Sequence, residues 1–170
     1  MDILNDPSMK EIVDDFCQES LGLFDQLEEK LEELEDDVQN SDLMEEFGNI
    51  IDRVMGAAKS LGADEIATFC ELGKLIGYKS SQSKDKVLLE VSIAILFDAV
   101  DLLKRMIDQI LTGASKSLEN LSTQAFCTRL RWLSEKFKHI ERASLKTEGT
   151  EGETELNQSS IDDLMASLGL

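Results

Sequence analysis

The sequence predicts an all-α protein, a single helical domain followed by a flexible C-terminal tail, and three observations carry that expectation. Apolar residues recur at three- and four-residue steps over long stretches, the period of helices that bury one face. The chain holds one proline and ten glycines and is only 5% aromatic, whereas strands draw on β-branched and aromatic side chains and on frequent turns. Its 170 residues, 42% of them hydrophobic, suffice for one core with length left over for a tail.

Taken in order, Asp6-Pro7 reads as a helix start, a capping carboxylate before a proline tolerated in the first turn. Ile12, Val13, Phe16, Cys17, Leu21, Phe24, Leu27, Leu31, Leu34 and Val38 then mark a first helix over roughly 7–38. Its other face carries Glu28, Glu29, Glu32, Glu33, Asp36 and Asp37, a solvated acidic stripe. Asp42, with Glu45 three residues on, has capping-box spacing and opens a second helix that runs to Leu61, with Gly62 as its C-cap. Asp64 starts a third through Ile76, and 80–85 is a polar loop. Val87–Leu111 is the most apolar helix and the expected centre of the core. Ser122 opens a fifth helix over about 122–145, with Phe126, Leu130, Leu133, Phe137 and Ile140 at heptad-like spacing. Its outside is basic (Arg129, Arg131, Lys136, Lys138, Arg142), so it can lie on the acidic first helix, extend the bundle or form a homodimer seam. Trp132 reads as a packing residue, with an interface anchor as the alternative. Residues 146–159 lack apolar periodicity and read as an acidic flexible linker.

The net charge of -18 is unevenly placed. Residues 1–55 hold eighteen acids against three bases, residues 147–170 hold six acids and no base, and the stretch between is mildly basic. Such acidity argues against nucleic acid and against anionic membranes, which reward clustered Lys and Arg. The chain has no apolar run long enough to span a bilayer and no basic-then-apolar leader, so a cytoplasmic protein is expected. Cys17, Cys70 and Cys127 are odd in number, far apart and set in apolar patterns, which suits small core residues and not a metal site or disulfide framework. His139 has no ligand set around it and reads as a solvated helix residue; no metal or other cofactor is expected in this chain.

The last residues form an amphipathic segment. Ile161, Leu164, Met165 and Leu168 share one stripe beside Asp162 and Asp163, and residues 160–170 are too short to stay helical alone. Such a face either folds back onto its own domain or fills a partner's groove. The segment resembles the C-terminal peptide of the CheZ chemotaxis phosphatases, which binds the phosphorylated response regulator CheY. With Leu156-Asn157-Gln158-Ser159-Ser160 in front, it is also similar to the CheY-binding N-terminus of the flagellar switch protein FliM. The resemblance implies a CheY-type partner, with Mg on that partner, and makes Ile161, Asp162, Asp163, Leu164, Met165 and Leu168 the partner-binding residues.

The helix order and the stretch Ile50-Ile51-Asp52-Arg53-Val54-Met55-Gly56-Ala57-Ala58-Lys59-Ser60-Leu61-Gly62 resemble the histidine phosphotransfer domain, including the one that opens the kinase CheA. The resemblance covers about residues 9–111 and implies an antiparallel four-helix bundle, to which the fifth helix is an addition. With Gly56 on the motif glycine, Asp52 stands in place of the phospho-accepting histidine and Met55 in place of the lysine. A carboxylate cannot take part in histidine phosphotransfer, and the missing lysine removes a charge that helps hold phosphate.

In CheZ-like phosphatases an acid engages the regulator's active-site lysine and an amide about one helical turn away orients the attacking water, which is positioning chemistry without a covalent step. Asn49 and Asp52 are the first candidates for these roles, on the helix where phosphotransfer proteins meet their regulators. Asp14 and Gln18 on the first helix match Asp-x-x-x-Gln and are second. Glu46 with Asn49 has the acid-x-x-Asn spacing of the CheC and CheX phosphatases, and Glu45 shares Asn49's face. Leu103-Lys104-Arg105-Met106-Ile107-Asp108 resembles the helix just after the CheZ site, but the catalytic places then hold Phe97 and Asp101. The resulting expectation is a remote CheZ-like phosphatase of a CheY-type regulator. The alternatives are a non-catalytic adaptor that sequesters the regulator, and a structural coiled-coil subunit.

Overall fold

The computed structural model describes residues 3–113, 121, 123–144 and 158–170, apart from the side chains of 140–144 and 158–159. Among them are six α-helices and no strand: α1 (Lys10–Asp36), α2 (Ser41–Leu61), α3 (Asp64–Ser81), α4 (Lys86–Thr112), α5 (Gln124–Ser144) and α6 (Gln158–Ser167).

Local chemistry sets the ends of these helices. Asp6 accepts from the Ser8 amide at 2.9 Å and heads a 3-10 turn, Pro7–Met9, that leads into α1, so the α-helix begins at Lys10 and not at 7. The Ser8 hydroxyl and amide hold the Asp6 carboxyl below its usual range. The cap of α2 is Asn40, not Asp42: the Asn40 backbone is extended and its Oδ1 accepts from the amides of Asp42 and Leu43, both at 3.2 Å, which leaves Asp42 inside the first turn. Gly62 ends α2 in the left-handed conformation, φ 70°, open to glycine without a Cβ penalty.

The third helix runs five residues beyond the expected Ile76, and Gly77, Lys79 and Ser80 of that extension are buried, Gly77 beside Met44 and Phe47 of α2. Ser80 is fully buried there and satisfies its hydroxyl by donating to the Ile76 carbonyl at 2.7 Å, as Ser92 does to Leu88 in α4. The polar loop therefore shrinks to 82–85, and Asp85 caps α4 through the Leu88 amide at 3.2 Å. Ser122, expected to open the fifth helix, and the expected linker over 146–157 lie outside the described residues.

Helix α1 packs along α2 and α4, and α3 packs along the same two, so the apolar stripes of four helices share one core. Phe24, Phe47, Phe69, Phe137, Leu31, Ile51 and Ile76 are among its fully buried side chains. Ion pairs tie the outsides: Lys104 of α4 reaches Asp25 at 2.8 Å and Glu28 at 2.7 Å on α1, and Lys30 of α1 reaches Glu46 of α2 at 3.0 Å. Partial burial works against the Lys104 ammonium, but its two carboxylate partners outweigh that and raise its pKa.

Helix α5 extends the bundle on α4 and does not lie along acidic α1. Phe126 packs on Phe69 of α3 with ring centroids 5.4 Å apart, and Arg129 ion-pairs with Asp98 of α4. Two apolar assignments change. Ile12 is 50% exposed at the start of α1, where no neighbouring helix covers it, and Trp132 is exposed with the Lys136 ammonium 5.3 Å from its ring. All three cysteines are buried, and His139 is exposed. Among the described residues no helix is long and apolar enough to cross a membrane.

Candidate functional site

The inner stripe of α2, Met44, Phe47, Ile51, Val54, Ala58 and Leu61, is held in the core, which turns the opposite side of the helix outward. Two glycines of α3 lie on its seam with α2. A Cβ added at Gly73 would stand 2.9 Å from Ile51 Cδ1, and one at Gly77 3.3 Å from Met44 Sδ, so a side chain at either position would press on these α2 side chains. The residue after Gly73 is Lys74, and its Nζ lies 2.9 Å from each carboxylate oxygen of Asp52. Both side chains remain about two-fifths exposed, 39% for Asp52 and 43% for Lys74. An ion pair in that setting contributes only ~0–1 kcal/mol and is readily exchanged for another.

Asn49, one turn before Asp52, is exposed. Gly48, Asp52 and Gly56 stand four residues apart in one row, and a Cβ added at either glycine meets nothing within 4 Å. The carboxylate therefore sits between two bare stretches of backbone, where an approaching surface can come close.

The other candidate pairs are arranged differently. Asp14 is engaged by Lys10 at 2.5 Å, with Gln18 exposed one turn on. Arg53, next to Asp52, reaches Glu19, next to Gln18, at 3.4 Å, which puts the α1 and α2 candidates at one level on neighbouring helices. No described hydrogen bond joins the two pairs. Glu46 is drawn to α1 by Lys30, which also holds Glu33 at 2.9 Å; the hydrogen bonds that the ammonium donates to these two carboxylates raise the lysine's pKa. On α4, Asp101 pairs with Arg105 at 2.8 Å and Phe97 is half-buried. Asp14 with Gln18 and Asp52 with Asn49 thus each combine an exposed amide with a partly exposed, ion-paired acid, and the α2 acid is the one set between two glycines of its own row.

No family model, curated protein or solved structure matches this chain. Among the described residues no group of three or more His, Cys, Asp or Glu side chains is placed to hold a metal ion.

The tail departs from a free peptide. Helix α6 begins at Gln158, two residues before the expected peptide, and lies against α3 and α5. Ile161, Met165 and Leu168 are buried, Leu164 is half-buried, and Asp162 and Asp163 face outward. The Ser134 hydroxyl donates to Asp162 Oδ1 at 3.0 Å. The physical reason is the apolar stripe itself, which finds a groove on its own bundle.

Lys74, Gly48 and Ser134 were not singled out from the sequence. The four-residue spacing of Gly48, Asp52 and Gly56 is visible there. The partnership of Lys74 with Asp52 is not, because it spans 22 residues and depends on how closely two helices meet.

Proposed function

We propose that this protein captures a phosphorylated CheY-type response regulator through α6 and promotes hydrolysis of its aspartyl phosphate on the outer face of α2. The observation that carries the reading is the exposed Asn49 amide one turn from Asp52, on a helix face kept bare by Gly48 and Gly56. The helices α1 to α4 are read as the antiparallel four-helix bundle of phosphotransfer domains, acting in the cytoplasm and holding no cofactor of its own. Mg belongs to the regulator.

In this mechanism Asp52 exchanges Lys74 for the regulator's active-site lysine. Asn49 holds a water in line with the phosphorus, its carbonyl oxygen accepting a hydrogen bond from that water. The water attacks, the bond between phosphorus and the aspartyl oxygen breaks, and inorganic phosphate and the free carboxylate are released. Positioning supplies the acceleration.

The test follows phosphate release from the phosphorylated regulator with catalytic amounts of this chain. Acceleration is expected for the wild type, with a loss of about a hundredfold for Asn49→Ala or Asp52→Ala, the size typical of a misplaced reacting group, and little change for Gln18→Ala. No acceleration over spontaneous loss sinks the enzymatic reading.

A second reading is favoured by the bond of Lys74 to both oxygens of Asp52, which occupies the acid: a non-catalytic adaptor that sequesters the regulator. Under it, deleting residues 160–170 removes binding, while the intact chain leaves the phosphate lifetime unchanged or lengthens it.

A further inference from the structure

We infer that α6 is a latch: the groove between α3 and α5 holds in cis the same apolar face that the tail offers to the regulator, so capture competes with the protein's own body. The inference rests on the tail reading above and adds its regulation.

Helix geometry makes the two uses exclusive. Ile161, Met165 and Leu168 stand at steps of four and three, on one stripe, and all are buried in the seated tail. What faces outward is Asp162, Asp163, Ala166 and Ser167, with Leu164 half-covered. No second apolar stripe remains to fill a partner's groove while α6 is seated.

A helix of ten residues is not stable by itself, so leaving the groove and losing helicity are one event, and the ordering cost opposes the three anchors. Contacts that do not involve the tail also join the groove walls: Phe69 of α3 meets Phe126 of α5, and Arg129 of α5 pairs with Asp98 of α4. Apparent affinity for the regulator is then the intrinsic affinity scaled by the fraction of open chains.

Ser134 is the point at which this can be tested without touching the tail. It is 4% exposed, lies on the body side and donates to Asp162. In the full-length chain, Ser134→Asp sets one carboxylate against another; Ser134→Ala removes the bond and adds nothing. Two readouts are needed: amide hydrogen exchange over residues 161–168, and titration with the phosphorylated regulator. The expected result for Ser134→Asp is exchange in α6 roughly tenfold faster with the α2 and α4 cores unchanged, and regulator binding roughly tenfold tighter, the factor carried by a hydrogen bond to a charged group. Ser134→Ala moves both readouts in the same direction by less. Equal affinity despite faster exchange overturns the latch while leaving the tail reading intact, and so do α6 amides that exchange only together with the bundle core. If neither chain binds the regulator, the functional reading falls and the gating with it.

Discussion

Helices α2 and α6 carry the two halves of the proposed activity, and they are held in opposite ways. Six core residues fix α2, from Met44 to Leu61, and the polar groups it shows to solvent are secondary to its position. Ile161, Met165 and Leu168, with half-buried Leu164 and Leu170 beside them and the Ser134 hydrogen bond to Asp162, seat α6 against α3 and α5. A face that must place a water to within a fraction of an ångström belongs on an element that cannot move, and a face that must search for a partner belongs on one that can.

The largest effect that tests this contrast is on stability. Phe47→Ala should lower the urea-unfolding free energy of the whole chain by about 3–5 kcal/mol, the usual cost of emptying a fully buried aromatic site. Ile161→Asp, at an equally buried position, should strip α6 of exchange protection while shifting the bundle's midpoint little. A comparable loss of global stability from Ile161→Asp would mean that α6 is part of the core, and the contrast would fail.

Next in size is a pH effect confined to the body. Burial pushes the Cys17 thiol up to about 11, reinforced by the nearby Asp14 charge, and the Cys70 thiol up to about 12, reinforced by Asp52. In the unfolded chain both ionise near 9.0, so the unfolded state binds fewer protons and stability falls as pH rises from 9.0 toward the folded values. One pH unit above 9.0 the loss is about 1 kcal/mol per thiol. Denaturant melts at pH 8 and pH 10 should show it, and Cys70→Ala should remove about half. The described part of α6 holds no cysteine, so its exchange protection should not follow the same curve.

The smallest expected effect sharpens what the α2 face is for. Lys74→Met should change stability by no more than ~1 kcal/mol, since the pair with Asp52 is substantially exposed. By freeing the Asp52 carboxylate it should raise phosphate release if exchange with Lys74 precedes docking, and leave it unchanged if the chain is only an adaptor. The phosphate-release assay reads this directly.

Much of the fold was legible because helical periodicity and capping are local. The buried stripes of α2 and α3 and the Gly62 stop follow from residue spacing within one helix. The errors fell where a local pattern has two solutions. Asn40 and Asp42 both suit a cap, and only the extended backbone at Asn40 decides between them. The serines at 80 and 81 read as loop because a buried helical serine depends on a carbonyl four residues back that sequence cannot show to be shielded. At the site, the acid and amide spacing was readable, but neither the cation on Asp52 nor the seat of the tail was. Both come from contacts between distant segments, and nothing in the sequence at Lys74 or Ser134 distinguishes them from the other polar residues of their helices.

One consequence of the α2 and α3 seam lies in how the chain is threaded. Only Gly62 and Ala63 separate these two helices, so the entropy lost in closing that connection is minimal. The contacts of Lys104 with Asp25 and Glu28, by comparison, join residues 79 and 76 positions apart. Asn49, Asp52, Lys74 and the two glycines of the seam all lie on one continuous hairpin, residues 41–81. The geometry of the α2 face is thereby encoded as a covalently local module, and insertions elsewhere in the chain leave its spacing untouched.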